Sequence, residues 1–549
     1  MSAALSYASG PSTMPLLGET IGANLERTVE RFSDREALVD RPTGRRWTYR
    51  QLDDDVNVLA RALLARGMAK GDRVGIWSPN TAEWVLVQYA TAKIGAILVN
   101  VNPAYRVHEL SYALNRSGVS LLVTAQANER SDYPAMVEAV RGDCPALTDV
   151  VVASTDSWDS LVAAAESVPA GLLAKTAATL SFDDAINIQY TSGTTGFPKG
   201  ATLSHHNILN NGYFVGELIG YTEEDRVCLP VPFYHCFGMV MGNLGATSHG
   251  ACIVIPAPSF DPGATLQAVA AERCTSLYGV PTMFIAELNH PSLASLDLSC
   301  LRTGIMAGSP CPIEVMKRVI SEMSMEEVSI CYGMTETSPV STQTRMDDDL
   351  DRRTATVGRV MPHLEVKVVD AASGLTVARG EPGELCTRGY SVMLGYWENA
   401  TETAEAIDAA RWMHTGDLAI MRDDGYVNIV GRIKDMVIRG GENVYPRELE
   451  EFLYGHPDIV EVYVVGVPDE RYGEELCAWV RLREGAEPIT AEMLREFCTG
   501  RLAHYKIPRY VYLADDFPMT VTGKVRKIEM RERSVEIFNL QEAARIRNA

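Results

Sequence analysis

A loop rich in glycine and hydroxyl side chains, YTSGTTGFPKG at 190–200, combines residue types that suit a polyphosphate ligand. Glycines let the backbone approach a phosphate closely, hydroxyl and amide groups donate hydrogen bonds to its oxygens, and the Lys199 ammonium offsets its charge. The loop is not a Walker P-loop, because no glycine stands directly before Lys199 and no serine or threonine follows it. Its composition alone fits a surface turn equally well.

The segments on either side of this loop predict the elements that hold it. AINIQY at 185–190 has the apolar alternation of a strand, and ATLS at 201–204 leads into a predicted helix. Further upstream, Thr48 and Gln51 form a capping box at the start of a helix that Gly67 ends. The next predicted elements are a strand at 74–77, a helix from Asn80 to about Ile94, a strand at 97–101, a helix around His108 to Asn115 and a strand at 119–125.

This alternation of strands and helices favours layered sheets with helices on their faces. We therefore expect an α/β fold with a large N-terminal region, residues 1–433, that contains more than one subdomain. The segment GRIKDMVIRGG at 431–441 places charges and glycines between two differently patterned regions. Residues 434–549 are predicted to form a small, mobile α+β domain. Its predicted elements are a helix that begins at Pro446, strands at 459–467 and 476–482, and a helix at 490–505.

Composition limits the partners and the cellular location. The chain has 549 residues, which suggests roughly three to four domain-sized units, and its formal net charge is −21. An acidic field repels nucleic acid, so no nucleic-acid partner is expected, although surface acid also serves solubility alone. The N-terminus lacks targeting patterns, and Gln88, Lys93 and Asn100 interrupt the apolar stretch at 85–101. We expect a cytoplasmic protein without an integral membrane segment.

The eleven cysteines contain no CxxC pair and no His/Cys cluster at zinc spacing. We therefore predict neither a disulfide framework nor a structural zinc site, and expect mostly buried, reduced thiols. No long heptad or repeated interface pattern predicts an oligomeric state.

The 190–200 loop closely resembles the signature of the adenylate-forming superfamily, which includes acyl-CoA synthetases, luciferases and the adenylation domains of peptide synthetases. Six further segments resemble the family's motifs and occur in the family's order. They are PFYHCFGM at 232–239, YGMTE at 332–336, TGD at 415–417, GRIKD at 431–435, GGENVYP at 440–446 and TGKVRK at 522–527. TSGTTGFPKGATLSHHN, from residue 191, and NVNPAYRVHEL at 100–110 most resemble the medium-chain acyl-CoA synthetase branch.

The resemblance implies an ATP site built from distant segments. The phosphates would be held by Lys199 and its loop, Thr191, Ser192, Gly193, Thr194, Thr195, Gly196, Phe197 and Pro198. Further along the chain, Tyr332 would stack on adenine, and Gly333 beside it would also belong to the ATP site. Thr335 would contact the α-phosphate, Asp417 the ribose hydroxyls, and Arg432 the ribose and phosphate. Gly308 and Ser309 would lie along the nucleotide. Glu336 would bind Mg²⁺, which needs few protein oxygens. Taken alone, YGMTE equally fits a strand end with a helix cap, and TGD an Asx turn.

The resemblance also implies how two half-reactions share this site. Lys524 would be the catalytic lysine that bridges the attacking carboxylate and the α-phosphate. The C-terminal domain would then rotate about Lys434, so that Gly440 and Gly441 line a tunnel for coenzyme A. His235 would line the substrate entry, although a single histidine in an apolar run is often a core residue. Cys236 is rejected as a nucleophile, since no Cys/His/Asp constellation is evident.

The predicted function is ATP-dependent activation of a carboxylic acid, with a medium-chain fatty acid favoured, followed by transfer to coenzyme A. Short-chain, branched and aryl acids stay open. Loading of a separate carrier protein is an alternative, because adenylation domains share these motifs. A luciferase-like oxygenase would share the first step, and a silent nucleotide-binding scaffold is the non-enzyme alternative.

Overall fold

The computed structural model describes residues 4–128, 131–191, 198–440, 442–520 and 524–546, which form an α/β structure built on four β-sheets. The strands are β1 Tyr7–Ser9, β2 Glu36–Asp40, β3 Arg45–Thr48, β4 Arg73–Trp77, β5 Ile97–Asn100, β6 Leu121–Thr124, β7 Asp149–Val152, β8 Ala185–Thr191, β9 Lys199–Ser204, β10 Arg226–Cys228, β11 Cys252–Ile255, β12 Ser276–Gly279, β13 Thr303–Ala307, β14 Glu327–Gly333, β15 Val340–Gln343, β16 Arg359–Val360, β17 Leu364–Val369, β18 Pro382–Gly389, β19 Gly395–Tyr396, β20 Met413–Met421, β21 Val427–Arg432, β22 Val437–Arg439, β23 Glu442–Val444, β24 Ile459–Asp469, β25 Gly473–Leu482 and β26 Tyr510–Leu513.

Helices cover the sheets and connect the strands. They are α1 Ile21–Phe32, α2 Tyr49–Ala65, α3 Ala82–Ile94, α4 Val107–Ser117, α5 Tyr133–Arg141, α6 Asp156–Ala163, α7 Ala170–Ala177, α8 His205–Leu218, α9 Gly245–Ser248, α10 Pro262–Glu272, α11 Pro281–Leu288, α12 Ile313–Glu322, α13 Leu350–Ala355, α14 Ala400–Ala406, α15 Pro446–Leu453, α16 Ala491–Cys498, α17 Lys527–Ile537 and α18 Gln541–Ile546. A π-helix at Phe237–Leu244 precedes α9, and a 3₁₀ turn forms at Thr335–Thr337.

The two largest sheets have parallel cores. Nine strands lie in the order β16-β15-β14-β13-β12-β10-β11-β2-β3, and seven in the order β19-β9-β8-β5-β4-β6-β7. A third sheet, β1-β17-β18-β20-β21, is antiparallel throughout. The fourth is formed by C-terminal strands in the order β23-β22-β25-β24, with β26 parallel to β25. The α/β class and the small α+β C-terminal unit predicted from the sequence are confirmed.

Most of the predicted elements are present. Thr48 caps α2 with the expected capping box, since its side chain accepts from the backbone of Gln51 while the Gln51 side chain accepts from Thr48. Helix α3 begins two residues later than predicted, because the Thr81 hydroxyl caps it at Trp84. Ten of the eleven cysteines are buried, as expected.

One predicted helix is too long. The segment 490–505 forms α16 only as far as Cys498, and its remainder includes a separate 3₁₀ turn at His504–Lys506. The cause is local: Thr499 is extended, and Gly500 adopts a φ of +76° that a right-handed helix cannot continue through. The apolar periodicity that suggested a single helix carries no information about the left-handed conformation of Gly500.

The apolar stretch at 85–101 forms part of the protein core. Every residue of α3 is buried, including Lys93, whose side chain is 2% exposed. The Lys93 ammonium donates to Glu26 at 2.8 Å, to Asp53 at 2.7 Å and to Asn57 at 2.7 Å. Lys93 is thus accommodated by acceptors on α1 and α2, which satisfies a buried cation that would otherwise be costly.

We predict that Asp53→Ala lowers the free energy of unfolding by about 2 kcal/mol, because it leaves the buried Lys93 ammonium short of one charged acceptor. The midpoint of thermal unfolding measures this loss. Asp54→Ala is the matched control, since Asp54 is the next residue of α2 and is exposed. Equal destabilisation by both substitutions would contradict a role for the Lys93 contact.

Candidate active site

The side chains singled out from the sequence come from three of the sheets and from the C-terminal unit. Thr191 and Lys199 lie on the seven-stranded sheet, and Tyr332 is the last residue but one of β14 in the nine-stranded sheet. Asp417 and Arg432 lie on the antiparallel sheet, and Lys524 belongs to the C-terminal unit. The site therefore lies where the sheets meet.

The predicted phosphate loop is flanked by β8 and β9. Thr191, the last residue of β8, pairs with Lys199, the first residue of β9, in the antiparallel register. The predicted contacts of Ser192, Gly193, Thr194, Thr195, Gly196 and Phe197 lie outside the described residues. The carbonyl of Pro198 accepts a hydrogen bond from the Tyr112 hydroxyl at 3.1 Å.

Lys199 is engaged by an acidic side chain. Its Nζ lies 2.8 Å from Glu402 Oε2 and 5.3 Å from the centre of the Tyr396 ring. Glu402 belongs to α14, more than 200 residues further along the chain. A phosphate bound at Lys199 would have to compete with this carboxylate.

Tyr332, Asp417 and Arg432 form a connected group. The Tyr332 hydroxyl donates to Asp417 Oδ2 at 2.7 Å, and Arg432 Nε donates to Oδ1 at 3.0 Å. Asp417 raises the pKa of Arg432 through its charge, so this guanidinium stays ionised. Two donors thus fix a buried carboxylate in the orientation that ribose hydroxyls would need.

The TGD segment reaches this position because it is a bulge in β20. Cys386 pairs with His414 and Glu384 pairs with Leu418, so β20 has two more residues than β18 across the same span. Gly416 takes a φ of +70°, which favours glycine, and its N–H donates to Glu384 Oε1 at 3.0 Å. The bulge therefore changes the direction of the Asp417 side chain, and the hydrogen bond from Gly416 to Glu384 stabilises the bulge.

Glu336 lies beside Thr191, the last residue of β8. Its Oε1 accepts from the Thr191 hydroxyl at 3.1 Å and from the Tyr396 hydroxyl at 2.9 Å. The neighbouring Thr335 hydroxyl lies 3.8 Å from Cys236 Sγ. A buried carboxylate beside the phosphate loop has the chemistry of a single protein ligand for Mg²⁺ that also binds phosphate oxygens and water.

Lys524 lies next to segments far away in sequence. A Cβ built on Gly308 would stand 3.9 Å from Lys524 Cε, so its aliphatic stem lies against that glycine. Burial lowers the pKa of Lys524, and the positive charge of Arg432 lowers it further. Its backbone is tied to Thr520, whose N–H donates to the Lys524 carbonyl at 2.6 Å. An anion bound between Lys524 and Arg432 would relieve the repulsion between them.

Gly308, Ser309 and Gly333 also lie at strand ends. Gly308 follows β13 with a φ of +91°, and Ser309 is partly buried beside it. Gly333 ends β14, where a Cβ would stand 1.7 Å from the carbonyl oxygen of Pro339. No larger residue fits there without moving the backbone.

His235 cannot readily carry a proton in this structure. Its Nδ1 accepts from the backbone N–H of Phe237 at 3.2 Å, and burial, helped by the charge of Lys524, lowers its pKa to about 3. Burial also raises the pKa of Cys236 to about 12. Both properties suit walls of a substrate channel rather than an acid–base or nucleophilic pair.

The predicted hinge and coenzyme A segment lie on the C-terminal side of β21. Lys434 is exposed in a turn closed by the N–H groups of Asp435 and Met436, which donate to the Arg432 carbonyl. Gly440 has a φ of +61°, and its N–H donates to the Tyr472 carbonyl at 2.8 Å. Gly441 lies outside the described residues.

Sequence reasoning missed three residues that support the site. Tyr396 orients Glu336, Glu402 pairs with Lys199, and Glu384 braces the TGD bulge. Glu384 stands in GELCTRG and Tyr396 in LGYW, neither of which carries a charge or glycine pattern that points to a ligand. Only the strand register brings them to the site.

The chain belongs to the AMP-binding enzyme family. The family model described as AMP-binding enzyme matches residues 25–397, and the AMP-binding enzyme C-terminal domain matches 448–524.

Two relatives and one solved structure are similar over nearly their full lengths. YngI of Bacillus subtilis (strain 168), which is named as an acyl-CoA synthetase, is 48% identical, over 96% of this chain and 99% of its own. The mitochondrial medium-chain acyl-CoA ligase ACSF2 of Danio rerio is 46% identical, over 97% and 91%. The crystal structure of the anthranilate CoA ligase AuaEII with anthranoyl-AMP has a TM-score of 0.84 at 27% identity, covering 95% of this chain and 98% of that one. The prediction of an AMP-forming acid–CoA ligase is thereby confirmed.

Among the described helices, none combines the length and the apolar character needed to cross a membrane.

We predict that Glu402→Gln strengthens ATP binding by up to about fivefold, because the half-buried pair with Lys199, worth about 1 kcal/mol, no longer competes with phosphate. The KM for ATP in pyrophosphate release measures the effect. Glu405→Gln, an exposed position on the same helix, is the matched control. An unchanged or raised KM in Glu402→Gln would show that Glu402 positions Lys199 instead of competing for it.

Proposed function

We propose that this protein activates a medium-chain fatty acid with ATP and transfers the acyl group to coenzyme A, releasing pyrophosphate and AMP. The observation that carries the proposal is the position of Lys524, which lies against Gly308 and within electrostatic reach of His235, Asp417 and Arg432. The medium-chain preference is supported by the ACSF2 relatives, which carry that substrate class in their name.

In the first half-reaction the fatty acid carboxylate attacks the α-phosphorus of ATP. This brings two anions together, so the protein must supply positive charge and fixed donors more than a nucleophile. Lys524 would bridge the carboxylate and the α-phosphate, and Lys199 would hold the leaving phosphates. Tyr332, already bonded to Asp417, would lie against the adenine while Asp417 accepts from the ribose.

Mg²⁺ fits the described residues at Glu336. The carboxylate is buried, its Oε1 is oriented by two hydroxyl donors, and it lies beside Thr191, the last residue of β8. When bound, the ion would neutralise charge on the leaving phosphates. Glu336 and Thr191 would orient that end of the nucleotide.

In the second half-reaction the thiol of coenzyme A displaces AMP. We propose that the C-terminal unit rotates about Lys434, removes Lys524 and presents Gly440 and Gly441 to the acyl-adenylate. A pocket of about 610 Å³ next to Gly440 is lined by four arginines and four acidic side chains, Arg439, Arg471, Arg495, Arg509, Asp469, Glu470, Glu475 and Glu542. Arg439 is paired with Glu475 and Arg509 with Asp469, so Arg471 and Arg495 are the side chains that would suit the phosphates of the coenzyme. The 433/434 domain boundary is part of this proposal.

The acceptor and the compartment also belong to the proposal. Coenzyme A is favoured over a carrier protein because the relatives are named for acyl-CoA. A cytoplasmic location is supported by the bacterial relative, whereas ACSF2 is mitochondrial by name.

We predict that Lys524→Ala slows pyrophosphate release from acid and ATP by about 100-fold or more, because a preorganised cation is lost from the transition state. Thioester formation from supplied acyl-adenylate and coenzyme A should be largely retained. Arg526→Ala is the control, since Arg526 is an exposed cation two residues away that pairs with Glu529. Equal loss in both half-reactions would contradict the two-pose assignment.

We further predict that AMP release, measured with fatty acids of graded length and with benzoate and cinnamate, is fastest for a medium chain. The same panel is run with coenzyme A and with a phosphopantetheinylated carrier protein. Faster turnover of an aryl acid would overturn the substrate class, and faster transfer to the carrier would overturn the acceptor. Absence of acid-dependent pyrophosphate release across the panel would favour a silent scaffold.

A further inference from the structure

Three side chains with different metal-binding groups converge beside the TGD bulge; none takes a direct part in the proposed reaction, although Glu384 also accepts the Gly416 N–H that fixes the bulge. Glu384, Cys386 and His414 each present one ligand atom, and these atoms all lie within 4.8 Å of one another. Among the described residues, this is the one group of three or more histidine, cysteine or carboxylate side chains whose ligand atoms all lie within 4.8 Å of one another. Cys386 is fully buried, while Glu384 and His414 are partly exposed.

The strand register creates this convergence. Cys386 on β18 is directly opposite His414 on β20, so their side chains share one face of the antiparallel sheet. Glu384 stands two residues before Cys386 and therefore projects to the same face. The cluster is part of the sheet rather than of a surface loop, which fixes the three groups with respect to each other.

The distances can be compared with those of a tetrahedral zinc site. Zinc bonds of about 2.3 Å to sulfur and about 2.05 Å to nitrogen or oxygen separate sulfur from nitrogen by about 3.6 Å and nitrogen from oxygen by about 3.3 Å. Here Cys386 Sγ lies 3.5 Å from His414 Nδ1, and Nδ1 lies 2.9 Å from Glu384 Oε2. The first separation already fits, and the second must open by about half an ångström.

The second nitrogen of the imidazole also has a suitable partner. His414 Nε2 lies 3.8 Å from the Asp408 carboxylate, which is longer than a hydrogen bond; a shift of about 0.8 Å would let the N–H donate to this acid, as a metal-binding histidine commonly does. Glu384 uses its other oxygen, Oε1, to accept from Gly416 N–H, which leaves Oε2 for an ion. These two partners would hold the ligands in place.

We propose that Glu384, Cys386 and His414 bind one Zn²⁺ ion, with water at the fourth position. Thiolate, imidazole and carboxylate are the ligand types that zinc accepts together, whereas Mg²⁺ takes oxygen ligands. The ion would connect β18 to β20 just before Asp417. It is separate from the Mg²⁺ site proposed at Glu336, which has no sulfur or nitrogen ligand.

Zinc binding must displace the thiol proton. The zinc–sulfur bond replaces the S–H bond of Cys386, and the proton is released to solvent. The charged groups around the thiol are Glu384, Asp408 and Lys367. The net effect of the two acids and one lysine around the site favours a cation.

The test uses Co²⁺ as a spectroscopic substitute for Zn²⁺ in the chelator-treated full chain. We expect a thiolate-to-Co²⁺ charge-transfer band that saturates at one ion per chain and is abolished by one equivalent of Zn²⁺. Cys386→Ser should remove the band, and His414→Gln should weaken Co²⁺ binding by about tenfold or more. Co²⁺ bound at oxygen ligands elsewhere does not produce this band.

Cys300→Ser is the matched control, because Cys300 is the one cysteine of the eleven that is not buried. Acid-dependent pyrophosphate release by Cys386→Ser verifies that the variant is folded, since the proposed reaction does not use Cys386. Absence of the band in the native protein overturns the proposal. The proposal is also overturned if the band persists in Cys386→Ser, or if His414→Gln binds Co²⁺ with unchanged affinity.

Discussion

The site concentrates positive charge in a protein whose net charge is −21, and repulsion between Lys524 and Arg432 shapes the arrangement. Each cation is balanced differently. Arg432 is bonded to Asp417 and Lys199 to Glu402, while Lys524 has its pKa lowered by burial and by Arg432. These cations are therefore restrained before any ligand binds. A polyphosphate and a carboxylate would replace repulsion with attraction, which is the differential interaction that accelerates a reaction between anions.

This arrangement requires three sheets and the C-terminal unit, because no single element can present such opposed groups. Strand β9 supplies Lys199, the end of β14 supplies Tyr332, and the bulge in β20 supplies Asp417. The strands fix their separations, since their buried faces allow one register only. Lys524 differs from these residues, because it comes from the C-terminal unit and, on the proposed mechanism, would leave the site while the strands keep their places.

Sequence reasoning predicted what is encoded locally. The α2 capping box depends on Thr48 and Gln51 alone, and the alternation of β8 is visible in six residues. The end of α16 at Cys498 was predicted wrongly, because apolar periodicity outweighed the left-handed Gly500. Within the candidate site, motifs pointed to Tyr332, Asp417 and Arg432, which the structure brings together, but Tyr396, Glu402 and Glu384 carry no motif. Their positions depend on pairing between segments that are distant in sequence, which periodicity does not encode.

On the proposed mechanism, the C-terminal unit takes two orientations, and the charges around Lys524 influence which one is favoured. In this structure Arg447 donates to the Cys311 carbonyl at 2.9 Å, and Lys524 extends into the site beside Gly308. The Arg447 contact is joined by Glu451, which accepts from the backbone N–H of Ile313, and by Val460, which packs against the core beside α12. The charge environment of Lys524 acts in addition to these contacts. On that mechanism, departure of pyrophosphate would remove negative charge near Lys524 and restore the repulsion from Arg432. The first step would thus weaken the pose that performed it, and the proposed rotation about Lys434 would become more favourable once the adenylate has formed.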